Sequence, residues 1–383
     1  MLFLDFSSAF DTVNHDILLH KLEYEFHLKD LALSWFKSFL TDRTFQVKIG
    51  DSFSHTKKIK YGVPQGSVLG PTIFSLYSQD IHKIAIMHEC KIHMFADDIQ
   101  IYTSCEDPQL EMTRLIKCFQ EIRKWAKTNG LKLNDDKTKF LIISKNDTCL
   151  DMSPYDNINF TAEKVVKNLG FHIDSKLNFT SQINNVCRNS FYLLRNLWNI
   201  SSKINDLNLR TQLITSCIIP RIDYCNSLYS CLPKKQIKKL QRLMNASVRF
   251  IFRIPRFDRE ISISEHLKKC HFLPVQQRID FKICVFVYKC LNDLAPEYLQ
   301  NLIQRKCSLE SLRVYNDRYL LERPQSEKEN YKNRRFSICS ASIWNCLPFE
   351  VRSSQTLSVF RKKLKTHLFQ TAFSDNHATM SRF

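Results

Sequence analysis

The pattern of apolar and polar positions changes character along the chain. Early on, two periods alternate. Asn14–His27 and Asp30–Leu40 carry apolar residues at helical spacing and predict amphipathic helices. Thr44–Ile49 and Ser52–Tyr61 alternate and predict a hairpin turning at Gly50-Asp51. Leu69–Ile84 predicts one helix, and Cys90–Phe95 and Ile99–Thr103 two short strands flanking Asp97-Asp98. The clearest helix is Leu110–Thr128, where Leu115, Cys118, Phe119, Ile122, Trp125 and Ala126 form one stripe and Asn129-Gly130 caps the end. Lys139–Ser144 reads as an apolar strand, Asp147–Asn157 as a polar loop with Pro154, and Val165–Ile173 as a last hairpin. This mixture predicts an α+β architecture.

Beyond that point the strand period fades. Ser181–Ile204, Leu207–Leu228 and Lys234–Ile254 predict three successive helices, the second kinked at Pro220. The third sets Ile237, Leu240, Leu243, Met244, Val248 and Ile251 against a basic face of Lys234, Lys235, Lys238, Lys239, Arg242, Arg249 and Arg253. From Ile261 onward the pattern stays mostly helical, clearest at Val275–Leu291 and Leu357–Phe369; residues 305–335 are polar and irregular, and the last ten residues read as frayed.

Composition narrows the function classes. The chain has 383 residues, 44% hydrophobic and 25% charged, which suits globular domains and excludes low-complexity or collagen-like sequence. No apolar run reaches the roughly 18 residues of a membrane span, and Met1–Asp5 does not resemble a secretory signal. Only six glycines occur, and neither GxGxxG nor GxxxxGK[ST] is present. Fourteen scattered cysteines without a CxxC predict reduced thiols rather than a disulfide or zinc framework. The net charge is +18, and it is unevenly placed: residues 1–150 hold 19 basic and 19 acidic side chains, so the whole excess follows residue 150. A neutral front and a strongly basic back point to a polyanion, with nucleic acid ahead of an anionic membrane surface.

Four short segments carry candidate chemistry: Phe3-Leu4-Asp5-Phe6-Ser7-Ser8-Ala9-Phe10-Asp11, Gly62-Val63-Pro64-Gln65-Gly66-Ser67, Phe95-Ala96-Asp97-Asp98, and Gly130-Leu131-Lys132-Leu133-Asn134-Asp135-Asp136-Lys137-Thr138. Singly, each reads as a strand end or a turn. In this order they fit two-metal chemistry, in which carboxylates from separate strands meet to hold two divalent ions about 4 Å apart. Mg²⁺ prefers such carboxylates, completed by substrate phosphates.

The set resembles reverse transcriptases of non-LTR (LINE-type) retrotransposons, closest to the Jockey-like and chicken-repeat-like branch. The likeness is specific over residues 1 to about 175 and softer to about 370, where Ile343–Pro348 and Val359–Lys365 resemble that group's C-terminal tail. It implies a right-hand polymerase palm over 1–175, a helical thumb over 176–260, and a mostly α-helical region over 261–383 with a flexible insert near 305–335. It implies RNA-directed DNA polymerase activity: a primer 3′-OH attacks the α-phosphate of a dNTP. The cofactor would be Mg²⁺, with Mn²⁺ as a substitute. The partners would be an RNA template, a DNA primer and dNTPs, with no membrane, in the nucleus and cytoplasm.

Residue by residue, the resemblance makes Asp5 and Asp97 metal ligands, Phe6 a backbone metal contact, and Asp98 the partner of Asp97. Phe10 would lie beneath the nucleotide sugar and disfavour a 2′-OH. Gln65 and Gly66 would approach the incoming nucleotide. Lys137 would be the general acid for pyrophosphate. Leu169, Gly170 and Phe171 would form the primer grip. Lys234, Lys235, Lys238, Lys239, Arg242 and Arg249 would track phosphates. Asp11 and Asp16 read as structural.

The chain departs from the family pattern at its start. Fingers and endonuclease lie upstream of the first motif in that family, and only four residues precede Asp5. The expectation is a truncated copy, with a separate polypeptide as one possible source of the missing parts. The alternative reading is a catalytically incomplete remnant that only binds RNA or an RNA–DNA hybrid.

Overall fold

Leu2-Phe3-Leu4 is an unbroken apolar triplet, and it folds as a strand with neighbours on both sides. The computed structural model describes residues 1–64, 66–104, 107–144, 162–255, 258, 260–306, 319–324 and 335–374. It divides into two units, Met1–Leu177 and Asn178–Phe383.

The first unit runs β1 (Leu2–Leu4), β2 (Phe6–Ser7), a 3-10 turn (Ala9–Asp11), α1 (His15–Tyr24), α2 (Asp30–Leu40), the short strands β3 (Thr44–Phe45), β4 (Lys48–Ile49), β5 (Ser52–Phe53) and β6 (Lys57–Lys58), then α3 (Gly70–Tyr77) and α4 (Asp80–Met87). It continues with β7 (Lys91–Phe95), β8 (Asp98–Tyr102), α5 (Pro108–Thr128), β9 (Lys132–Leu133), β10 (Lys139–Phe140), and the hairpin β11 (Val165–Asn168) with β12 (Phe171–Asp174). The main sheet has the order β10-β1-β8-β7, every pair antiparallel. Its core joins Leu2, Leu4, Ile99 and Ile101 to Phe74, Tyr77, Leu115 and Phe119 from α3 and α5. Helix starts follow their caps: Asn14 Oδ1 accepts from Asp16 and Ile17 N–H, and Asp107 from Gln109 and Leu110 N–H just before Pro108.

Two expectations are corrected in this unit. Leu69–Ile84 is two helices. Ser78 turns its hydroxyl back onto the Phe74 carbonyl at 2.8 Å, and the next bonds, Ile81 N to Ser78 O and His82 N to Gln79 O, tighten to i→i+3. Tyr77, Ile81 and Ile84 are buried across the break, so apolar spacing alone does not reveal it. The strand expected over Lys139–Ser144 is only Lys139–Phe140, because β1 offers three residues; Leu141 N–H then bonds the carbonyl of Met1.

A buried cation ties α1 to α4 and α5. Lys21 is 5% exposed; its Nζ donates to Tyr77 O at 3.0 Å and to Asp80, and lies over the rings of Tyr77 and Trp125 at 5.6 and 5.3 Å. Burial pushes the Asp80 carboxyl up, but hydrogen bonds and charge from Lys21 and Lys83 outweigh it and hold the group below its ordinary range. Lys21→Met is expected to destabilise the fold by about 2 kcal/mol or more, since it strips a partly buried carboxylate of one partner. A depressed carboxylate adds stability above its unfolded pKa and loses it as pH falls through the folded value. The gap between wild type and Lys21→Met in urea unfolding should therefore shrink below about pH 4, the ordinary carboxylate range.

The second unit is helical: α6 (Thr180–Asn199), α7 (Leu207–Cys217), α8 (Ile219–Asp223), α9 (Lys234–Phe252), α10 (Ile263–Lys269), α11 (Val275–Leu291), α12 (Glu297–Gln300), α13 (Phe336–Asn345), α14 (Phe349–Arg352) and α15 (Leu357–Phe373). Pro220 does not kink a continuous helix. It sits in the first turn of α8, and the helix is interrupted at Ile218 instead. α9 packs on α6 and α7, with Trp198 edge-on to Phe250 at 5.5 Å and Arg210 bonded to the carbonyls of Ile251 and Ile204. α11 packs on α9, α13 and α15, where Tyr288 stacks on Phe360 at 4.5 Å, so the stretches before and after residue 260 share one core.

The described cysteines are free thiols. Among the described residues, no helix is long and apolar enough to cross a membrane. The polar loop around Pro154 and most of 305–335 lie outside the described residues.

Candidate active site

Strand register brings the acidic residues to one place. Leu4 of β1 pairs with Ile99 of β8 in antiparallel register, so Asp5 and Asp98 occupy the next position at the same end of the sheet. Phe95 of β7 pairs with Asp98, leaving Ala96-Asp97 as the turn at that end. Ala96 has φ 53°, a left-handed conformation that costs a non-glycine residue about 1–2 kcal/mol. Asp5, Asp97 and Asp98 are all half-buried. Burial, followed by the charges of Asp97 and Asp5, raises the pKa of Asp98.

The fourth segment closes on the same end. β2 pairs with β9, Phe6 opposite Leu133, and Asn134 N–H bonds the carbonyl of Asp5 at 2.9 Å. Asn134 then organises its own turn: its side chain accepts from Lys137 N–H and its carbonyl from the Thr138 hydroxyl. Lys137 Nζ comes to 3.7 Å from Asp5 Oδ1, the lysine exposed and the aspartate half-buried. The structure therefore gathers Asp5, Asp97, Asp98 and Lys137.

The residues around them are placed by the core. The Phe6 ring is buried and edge-on to Phe74 at 6.4 Å. Phe10 is half-buried with its ring 5.1 Å from Phe74, so core packing holds one side of it. The second segment is stapled to the chain that follows the first: Gly62 N–H bonds Val13 O and Val63 N–H bonds Phe10 O, each at 2.8 Å. His15 Nε2 lies 2.8 Å from Gly62 O. Gly62 has φ +91°, and a Cβ there would meet Asp11 Cα and O at 2.9 Å. Gly66 has φ +81° in open space, and Ser67 Oγ accepts from Gly70 N–H at the start of α3. Gln65 lies outside the described residues. The second segment included Gly62 without a role, and the structure gives it a backbone one; the signal was scarcity, because five of the six glycines have positive φ.

Leu169, Gly170 and Phe171 lie outside the sheet that carries the acidic cluster. They form the turn of β11–β12, whose Val166 packs with Phe3 and Leu141. Leu169-Gly170 is exposed, and Phe171 is buried. In the second unit, Lys234, Lys235, Lys238 and Arg242 are exposed on α9. Lys239 is half-buried and donates to Asn184 Oδ1. Arg249 donates both terminal nitrogens to the carbonyls of Pro255 and Asp258, so it closes the loop after α9.

Among the described residues, no three His, Cys, Asp or Glu side chains converge closely enough to enclose a metal unaided. The donor set still fits a hard divalent ion: carboxylates at one sheet end, repelling one another as the raised Asp98 shows, and open to oxygens from elsewhere.

The chain is similar to known proteins over much of its length. Residues 1–173 match the family described as reverse transcriptase (RNA-dependent DNA polymerase). The RNA-directed DNA polymerase from mobile element jockey of Drosophila melanogaster is 29% identical over 276 residues, 70% of this chain and 30% of that protein. The "Probable RNA-directed DNA polymerase from transposon BS" of the same organism is 26% identical over 278 residues, 69% of this chain and 30% of its own. The chain thus spans about 30% of the length of these curated relatives. A solved telomerase from Candida albicans, in complex with a fragment of telomeric RNA, covers 73% of this chain and 48% of its own at 16% identity and TM-score 0.35, too loose a likeness to carry a conclusion. Over its first 173 residues the chain is thus similar to reverse transcriptases, and over about 70% of its length to RNA-directed DNA polymerases of mobile elements.

Proposed function

We propose that this chain extends a DNA primer by copying RNA, with Asp5, Asp97 and Asp98 as the acidic centre of a palm. The observation that supports this most is the register that puts all three at one sheet end beside Lys137. Asp5, Asp97 and the Phe6 carbonyl would hold two Mg²⁺ or Mn²⁺ ions, which supply charge neutralisation and activate the attacking hydroxyl. Asp98, whose pKa burial and the charges of Asp97 and Asp5 raise, stands beside them as the partner of Asp97. Phe10, backed by Phe74, presents a rigid ring beneath the sugar of the incoming nucleotide and leaves little room for a 2′-OH. Gly66 keeps backbone free of a side chain near the new base pair, and Gln65 is assigned beside it. Leu169, Gly170 and Phe171 form the primer grip, where the exposed turn rather than the buried ring meets the strand. The 176–260 segment acts as a thumb, with Lys234, Lys235, Lys238 and Arg242 on the duplex phosphates and Lys239 and Arg249 supporting that face from within the fold.

Lys137 delivers a proton to the departing pyrophosphate. Lys137→Ala is expected to slow incorporation about 10²-fold, the lower end of general-acid effects. Its exposed pair with Asp5 contributes little to stability, so urea unfolding should move by less than about 0.5 kcal/mol. Equal incorporation by the variant would remove Lys137 from the chemistry.

Primer extension tests the whole reading. Purified chain receives poly(rA), oligo(dT), labelled dTTP and Mg²⁺. Labelled product, dependent on the RNA strand, is expected. Salt-sensitive hybrid binding without product would leave a binding remnant in its place.

A further inference from the structure

We infer that the β-ribbon between Arg43 and Ile59 is a grip for single-stranded RNA, holding the unpaired template where it enters the palm; the identity of that strand rests on the polymerase reading above. The ribbon has no core of its own. β3 pairs with β6 and β4 with β5, so its two arms run from Arg43 to a tip at Gly50-Asp51 and back to Ile59, and every residue of the four strands is exposed. A two-stranded ribbon with both faces bare is marginal in water. Its root is nonetheless fixed. Arg43 Nε donates to Phe39 O at 2.6 Å, the guanidinium lies over the Phe39 ring, and Tyr61 bridges to Asn14. An element anchored at its root and bare along its length is completed by a partner.

Register decides what each face offers. Thr44 pairs with Lys58 and Phe45 with Lys57, yet Lys48 pairs with Phe53 and Ile49 with Ser52, so the returning arm holds one extra residue, a bulge over Ser54–Thr56. Ser54 closes it: its hydroxyl accepts from Val47 N–H and its N–H donates to Val47 O, each at 2.9 Å. Gln46 Nε2 donates to Thr56 Oγ1 at 2.8 Å beside it. Alternation then sets Thr44, Gln46, Lys48, Phe53, Thr56 and Lys58 on one face. Two lysines stand about 14 Å apart along the strand, with hydroxyls and an amide between them. Lys48 Nζ lies 5.2 Å from the centre of the Phe53 ring, which is 62% exposed. Cations for phosphates, polar groups for 2′-hydroxyls and base edges, and a bare ring for an unpaired base describe a single RNA strand. A paired duplex would leave the ring without a base face to stack on. The charge is complementary too. Residues 42–60 carry five basic and two acidic side chains within a front half that is neutral as a whole, and Lys57, Lys58 and Lys60 make no ion pair with a described residue. Position names the strand. The returning arm runs directly into Gly62 and Val63, which are bonded to Val13 and to Phe10, the residue assigned beneath the incoming nucleotide. Past that nucleotide, the strand that remains is template not yet copied. The opposite face, Phe45, Val47 and Ile49, is apolar and would suit a second copy of this chain.

Crosslinking and binding by the full chain test this. The probe is an RNA–DNA hybrid whose template runs past the primer 3′ end as an unpaired RNA overhang carrying 4-thiouridine; the same hybrid with a blunt end is the control. Overhang crosslinks should map to residues 43–61, and the overhang should tighten binding. Lys48→Ala with Phe53→Ala and Lys58→Ala, all exposed, should weaken binding of the overhang hybrid at least about tenfold. The slope of log K against log salt should become shallower by about 1.4, the share of two phosphate contacts on a single strand. Thermal unfolding and binding of the blunt hybrid should not change. Val47→Ser with Ile49→Ser, on the apolar face, should leave the overhang labelling intact, and so should Asp97→Ala. Crosslinks confined to other segments, equal binding of the two hybrids by wild type, or a triple variant with undiminished overhang binding would overturn the inference. A dimer that the apolar-face variant dissociates and the overhang does not would also overturn it. Ribbon labelling without dTTP incorporation would sink the polymerase reading and leave an RNA grip; incorporation without ribbon labelling would sink the grip alone.

Discussion

Asp97→Ala is expected to reduce dTTP incorporation on poly(rA)–oligo(dT) at least about a thousandfold, about 4 kcal/mol of transition-state stabilisation. The size follows from position. Asp97 sits in the two-residue turn between β7 and β8, where its carboxylate would hold the divalent ions that neutralise the reacting phosphates. Removing it leaves Asp5 and Asp98, two carboxylates on one side of the site. The fold should not suffer, because Asp97 adds to the repulsion that raises Asp98. Asp98→Asn provides the matching control. A raised carboxyl pKa means that the group takes up its proton more readily folded than unfolded, so it costs stability once pH passes above the folded value. At pH 7 the Asp98→Asn protein should unfold at a slightly higher urea concentration than wild type, while incorporating less. Full activity in Asp97→Ala would remove the acidic centre from the mechanism.

How much of this was legible in the sequence depends on whether a signal is local. The helix was readable from Leu110 to Thr128 because its stripe and its Asn129-Gly130 end lie within one segment; the true start, Pro108 behind the Asp107 cap, was not read. The β7–β8 hairpin was readable for the same reason, and Asp97-Asp98 at its tip came with it. That Asp5 lies beside them was not a local fact. It depends on Leu4 pairing with Ile99 across more than half of the unit, and only the resemblance of motif order suggested it. The break at Ser78 was hidden because the buried stripe continues across it, and the break at Ile218 because one proline can bend, end or begin a helix. The face of α9 was half legible: spacing identified the cations, but not that Arg249 spends both terminal nitrogens on carbonyls.

Gly62→Ala should be the most damaging small substitution in the first unit. Three effects act together. The backbone stands at φ +91°, where a side chain costs about 1–2 kcal/mol. The new Cβ would meet Asp11 Cα and carbonyl oxygen at 2.9 Å, and these are backbone atoms that cannot swing away as a flexible side chain would. Overpacking of this kind costs about 1–3 kcal/mol. The position is also pinned from both sides, by its N–H to Val13 O and by His15 on its carbonyl, so relief by movement breaks one bond or the other. Together the loss should be about 3 kcal/mol, read by urea unfolding at 25 °C. Gly66→Ala isolates the conformational part, since Gly66 stands at φ +81° with nothing within 4 Å of its missing Cβ. It should cost only about 1–2 kcal/mol. The two variants also differ in reach. Shifting Gly62 pulls Val63 from the carbonyl of Phe10, so it disturbs the residue assigned beneath the nucleotide sugar and should weaken discrimination between dTTP and UTP among the molecules still folded. Equal stability losses in the two variants would mean that the Asp11 contact relaxes without cost, and that the staple between the first two segments is looser than its bonds imply.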